Sequence, residues 1–326
     1  MNEPSLIDFL IHVNSNFPLI NSFLFNITIF AAAHQLSNFK LKKSLKSKDY
    51  TGWIIDSRSL RNIRSVEELQ RRVNFKSVSD LVPYIEKIRQ YTKPDNMKTA
   101  YKNLASVISA KKTFNLLSLS TGTYEVANNK INYANESAIG HELLHMASSF
   151  YDKIKKIEYC GFSQCSNSKR IGMGLDEGYT ELLASRIFNK KHKPEAYHRL
   201  VRLAHLFEFF FDNPKEMEDY YFNHDLPGFI RHMSKFASKD EIVDILSSMD
   251  IILAKHTIFP TTDEFKVKMK LYKMLKANCK ERSKISAFER EIKKSPLIAL
   301  ILNGKKLVLQ RDNPYLRVSQ SEKRMK

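Results

Sequence analysis

The chain has 326 residues, 43% of them hydrophobic, enough apolar material for one large domain or two ordinary ones, which argues against a disordered polymer. Its three cysteines, Cys160, Cys165 and Cys279, are too few to staple a chain of this length, so a disulfide-held secreted scaffold is not expected and a reducing, cytoplasmic setting is. With 53 Lys or Arg against 35 Asp or Glu the formal net charge is +18, and residues 265 to 326 alone carry 18 basic and 5 acidic side chains.

From the N-terminus, the uncharged run 17–33 holds Pro18, Asn21, Ser22, Asn26 and Thr28 and has no basic segment before it. A buried helix is expected there rather than a membrane anchor. Apolar positions from Val66 to Val73, and again at Val78, Leu81, Val82, Ile85 and Ile88, recur at helical spacing, with Pro94 as a break. Residues 1–112 therefore read as a helical N-terminal region without visible chemistry. The period then changes. Phe114 to Ser120 is strand-like, and Thr123 to Ala127 followed by Asn128, Asn129 and Lys130 to Tyr133 predicts a hairpin with Asn at its turn.

A helix is predicted next, beginning near Asn135, capped by Asn135 or Ser137 and running through Gly140 to Ser149; a loop follows from about Lys155 to Gly174. A second helix is predicted from Leu175 to Arg186, and helical pattern continues to about residue 255 with breaks at Pro194, Pro214 and Pro227. The aromatic stretch Phe207 to Phe211 is expected in the core rather than lining a cleft. Residues 113–260 thus form a second region and 261–326 a basic helical C-terminal segment. Such a segment can contact acidic proteins, nucleic acid or an anionic surface. No helix-turn-helix or zinc-finger spacing is present and aromatics do not alternate with the basic residues, so no specific nucleic acid is expected and an acidic partner is the class retained. A solvated helix with a frayed end is the plainer reading.

The chemistry sits in His141-Glu142-Leu143-Leu144-His145. Residues four apart share a helix face, so both imidazoles can reach one ion, with Glu142 beside them. Zinc held by neutral imidazoles with an open position acidifies water, and a neighbouring carboxylate can take that proton as water attacks a carbonyl. A third protein ligand must come from elsewhere. Glu177 and Glu181 are spaced i, i+4 on the following helix; Glu177 is assigned as the ligand and Glu181 as acceptor for the distal N–H of one histidine, and spacing alone leaves the reverse order open. Tyr197, His198, His205, Tyr221 and His224 are available as donors to the oxyanion, with His224, at a helix break beside Asp225, the first choice. Cys160 and Cys165 lack partners at zinc-site spacing and read as free thiols in a loop.

HELLH, thirty residues, then Asp176-Glu-Gly-Tyr-Thr-Glu181 resembles the gluzincin metallopeptidases, which include thermolysin-like proteases and zinc aminopeptidases. The resemblance covers about residues 120 to 190. It implies that Glu177 is the third zinc ligand and Glu181 its supporting carboxylate. The metzincin continuation is missing, Tyr151 standing where its third histidine belongs. The expectation is thus an α+β, mostly helical protein with a zincin-like catalytic core and a small sheet beside the HExxH helix. It would hold Zn2+ on His141, His145 and Glu177 and hydrolyse peptide or protein substrates with Glu142 as base. The alternative is a non-peptidase zinc hydrolase, or a regulatory zinc-bearing protein acting through its basic C-terminal segment.

Overall fold

The computed structural model describes residues 65–111, 122–134, 136–166, 169–188, 197–255 and 262–293. The run 17–33, the segment Phe114 to Ser120, Pro194 and the basic residues beyond 293 lie outside these.

Helix α1 (Val66–Arg71) starts at Ser65, whose hydroxyl accepts the Glu68 amide proton at 3.1 Å and satisfies one of the donors a helix start leaves open. Helix α2 (Val82–Tyr91) buries Ile85 and Ile88, and a 3-10 turn at Pro94–Asn96 separates it from α3 (Met97–Leu104), where the proline predicted a break. A three-stranded sheet follows, in the order β1 (Ile108–Lys111), β3 (Lys130–Tyr133), β2 (Gly122–Glu125). Strands β2 and β3 are the predicted hairpin, with Asn129 at φ 48° in its turn, a left-handed conformation that Asn tolerates better than most residues. Strand β1 was not foreseen in the helical reading of residues 1–112. It pairs in parallel with β3, so a partner some twenty residues along the chain makes it a strand, not its own composition.

Helix α4 (Glu136–Ala147) carries the HELLH residues and is buried from Ala138 to Ala147, with His141, Glu142 and His145 buried alongside its apolar Leu143, Leu144 and Met146. The side chains of Asn135 and Ser137, the expected caps, are outside the described residues. The predicted loop of 155–174 instead holds β5 (Ile157–Cys160), β6 (Ser163–Cys165) and β7 (Arg170–Ile171), which join β4 (Ser149–Asp152), just before it, in an antiparallel meander. These strands of two to four residues are too short to display a period of two in the sequence. Their first turn is closed by Asp152, whose Oδ1 accepts from the amides of Ile154 and Lys155, both at 3.0 Å.

The remaining elements are helices: α5 (Met173–Ile187), α6 (His198–Phe207), a 3-10 turn at Glu208–Phe210, α7 (Lys215–Phe222), α8 (Leu226–Met233), α9 (Lys239–Lys255), α10 (Thr262–Asn278) and α11 (Arg282–Lys293). Pro214 and Pro227 both stand at helix starts, the latter in a first turn capped by Asp225, which accepts from the Gly228 amide at 2.9 Å. Helix α5 is central: it packs against α4, α6 and α9. Phe207, Phe210 and Phe211 are buried, Phe207 and Phe211 against Phe229, so the aromatic stretch is core. Helix α10 inserts Val267, Leu271 and Leu275 against α6 and α9, and α11 adds Phe288 and Ile292. The basic C-terminal segment is therefore part of the fold as far as residue 293. The architecture is α+β, dominated by helices, and no helix among the described residues is long and apolar enough to cross a membrane.

Candidate metal centre

Helix α4 brings His141, Glu142 and His145 to its surface toward α5, each only 7% exposed, and α5 brings Asp176, Glu177 and Glu181 to meet them. Three atoms converge: His141 Nε2 lies 3.0 Å from His145 Nε2 and 3.3 Å from Glu177 Oε2, and His145 Nε2 lies 3.6 Å from the same oxygen. The other ring nitrogens point away. His141 Nδ1 is 2.8 Å from Glu181 Oε2, and His145 Nδ1 is 3.3 Å from both Asp176 Oδ2 and Cys160 Sγ.

This division of the rings decides what the triangle can hold. Each Nδ1–H has a carboxylate to donate to, which leaves Nε2 as an acceptor in the neutral ring. Two acceptor nitrogens and a carboxylate oxygen do not gather within about 3.5 Å in a buried place without a cation among them, either a metal ion or protons carried by the rings. Tetrahedral zinc with bonds of about 2.0–2.1 Å sets neighbouring ligand atoms about 3.3–3.4 Å apart, close to the three spacings present. The donor set, two imidazoles and one carboxylate, fits that ion. Without metal, protons serve instead. Burial lowers the affinity of His141 for a proton, but its contacts with Glu177 and Glu181 more than reverse this and raise it to about 9; His145 is likewise raised well above its usual value, against burial, by the charges around it. Burial would push the Glu177 carboxyl up, yet the two rings hold it well below the usual carboxylate range.

No protein-family model matches the chain, and neither a curated protein nor a solved structure matches it. Its functional reading therefore rests on the residues of this centre.

Glu142 stands one residue from His141 with its carboxyl raised by burial, against the opposing charges of the two histidines. Strand β2 runs alongside it, so close that a Cβ on Gly122 would lie 2.6 Å from Glu142 Oε1. Across the centre, Tyr197 at the start of α6 stacks on His141, with ring centroids 5.9 Å apart and planes at 20°, and the charge of Glu177, then burial, raises its hydroxyl. His224, the first choice as oxyanion donor, lies elsewhere. Its ring stacks on Phe150 and tilts against Tyr159, which face each other across β4 and β5, whereas Cys160, one residue on, points to the opposite face and touches His145. The second sheet separates His224 from the centre, whereas Tyr197 lies against it through its stack on His141.

Two residues of the centre had no role assigned from the sequence. Asp176 is adjacent to Glu177, and its Oδ1 also accepts the Phe162 amide at 3.0 Å, which ties it to the β5–β6 turn. That turn passes so close that a Cβ on Gly161, at φ 49°, would lie 2.0 Å from Asp176 Oδ1. Cys160, expected in a loop, is buried at the end of β5, and burial pushes its thiol up to about 12, so it meets His145 as a neutral thiol. His145, Cys160 and Asp176, all buried, also bring one ligand atom each within 4.8 Å of one another, so Cys160 does have partners of metal-ligating type, contrary to the expectation from spacing.

Proposed function

We propose that the chain is a zinc-dependent metallopeptidase of zincin-like type, with His141, His145 and Glu177 as the residues that hold the ion. The observation that carries this reading is the convergence of two Nε2 atoms and one carboxylate oxygen at 3.0, 3.3 and 3.6 Å, each ring turned so that its Nδ1 faces a carboxylate. A bound zinc ion would supply Lewis acidity, bringing water near neutral acidity and polarising a carbonyl.

The rest of the chemistry belongs to side chains of this chain. Glu142 takes a proton from the attacking water and returns it to the leaving amine; burial raises its carboxyl, which makes it a stronger base than a solvated carboxylate. Tyr197 donates its hydroxyl hydrogen to the oxygen that gains charge as the carbonyl becomes tetrahedral. Glu181 and Asp176 hold the histidine tautomers, and the buried back wall of Cys160 keeps water from the Nδ1 side of His145. Peptide or protein is the substrate class that this arrangement of base, oxyanion donor and neighbouring strand serves.

The test is Glu142→Gln in the full chain, with zinc content by elemental analysis and turnover on a random peptide library read by mass spectrometry. Retained zinc with cleavage lost by at least about 10²-fold supports the assignment. Cleavage at wild-type rate overturns it.

A further inference from the structure

We infer that Asp250, on α9, is a positioning residue for the ligand helix α5, an inference that rests on the reading of His141, His145 and Glu177 as metal ligands. Asp250 is 3% exposed and lies far along the chain from every residue of the centre. Its Oδ2 accepts the Gly172 amide at 2.9 Å and its Oδ1 the Gly174 amide at 2.7 Å.

These amides open α5. Gly172 precedes the helix in a left-handed conformation, φ 83°, and has no side chain with which to cap it. The first amides of a helix lack partners within it and carry its positive end, so a carboxylate brought in from another helix satisfies both needs. Two bonds to amides that point in different directions fix more than one would: they set the position of α5 along its axis and its rotation about it. The backbones leave no slack at this seam, since a Cβ on Gly174 would lie 2.3 Å from the Met249 carbonyl oxygen and 2.9 Å from the Asp250 nitrogen.

What this seam sets is the geometry of the centre one turn further on. Asp176, Glu177 and Glu181 all ride on α5, whereas both histidines ride on α4. The three converging distances hold only while the two helices keep one mutual rotation. A side chain reaches about 5–6 Å from its helix axis, so a rotation of α5 by about 10° moves the Glu177 carboxylate by about 1 Å. Metal bonds tolerate roughly ±0.2 Å. Asp250 therefore acts on zinc affinity through Glu177 without touching the ion.

Asparagine at this position offers one acceptor and turns an amide N–H2 toward the other backbone N–H, so Asp250→Asn breaks half of the grip and sets donor against donor. The experiment titrates zinc against a zinc-binding dye in the wild type, in Asp250→Asn and in Ile242→Ala, a cavity variant in a buried position two turns away on the same helix. Each is held well below its own unfolding midpoint, measured by circular dichroism. The expected result is at least tenfold weaker zinc binding in Asp250→Asn, and affinity within threefold of wild type in Ile242→Ala although its midpoint falls. Wild-type affinity in Asp250→Asn, or equal losses in both variants, would overturn the inference and leave the metal centre standing. A folded wild type without zinc affinity would overturn the centre and the inference with it. If Asp250→Asn does not fold, Asp250→Glu takes its place; it keeps charge and both oxygens but displaces them by one methylene, with the same tenfold loss expected and wild-type affinity again overturning.

Discussion

Replacing Glu181 with alanine removes the acceptor 2.8 Å from His141 Nδ1 at a place where Glu181 is 5% exposed and water does not readily substitute for it. A hydrogen bond involving a charged group contributes about 1.5–3 kcal/mol net. Each ~1.4 kcal/mol is tenfold in a dissociation constant, so zinc should bind about 10- to 100-fold more weakly, the range typical of losing a residue that orients a metal ligand. Glu181→Gln keeps an oxygen to accept the Nδ1 proton but not the charge, and should fall at the low end, about tenfold. The assay is a competition titration against a zinc-binding dye near neutral pH, with circular dichroism to establish that each variant is folded. Wild-type affinity in Glu181→Ala would refute the orienting role. Complete loss of zinc there, with zinc kept in Glu177→Ala, would exchange the roles of the two glutamates.

Tyr197→Phe should keep its zinc and lose kcat by about 10²–10³-fold, because it removes only the donor to the developing oxyanion; an unchanged kcat removes Tyr197 from the mechanism. The pH dependence should have opposite signs in the two forms of the protein. Zinc must displace the proton that His141 holds up to about 9, so affinity should tighten as pH rises from 6.5 toward 9 and level off above. In the metal-free protein the same raised value is a stabilising term, fully present below 6.5 and lost as pH rises through about 9, so its thermal midpoint should fall over that window. A rising midpoint in the metal-free protein would show that the rings do not carry the protons.

The part of the centre that lies within single helices was readable from spacing. His141 and His145 share a face by the period of α4, and Glu177 and Glu181 share one by the period of α5, with no tertiary information needed. Asp176 was not, because a residue adjacent to Glu177 points about 100° away from it around the helix and reaches His145 only by the way α5 meets α4. The choice between His224 and Tyr197 depended on which side of a sheet each falls, and that sheet was read as a loop because its strands are so short. Strand β1 and the Asp250 clamp depend on partners about twenty and more than seventy residues away, which local pattern does not encode. The hairpin β2–β3 needed only its asparagines and alternation, and it stands where they indicated.

The proposed function stands on His141, His145 and Glu177 holding one zinc ion. Elemental analysis of the purified wild type beside His145→Ala and Glu177→Ala tests it most directly, with folding of each checked by circular dichroism. About one zinc per wild-type chain and little or none in either variant is the expected result. A well-folded wild type without zinc, or two variants that both keep it, would contradict it.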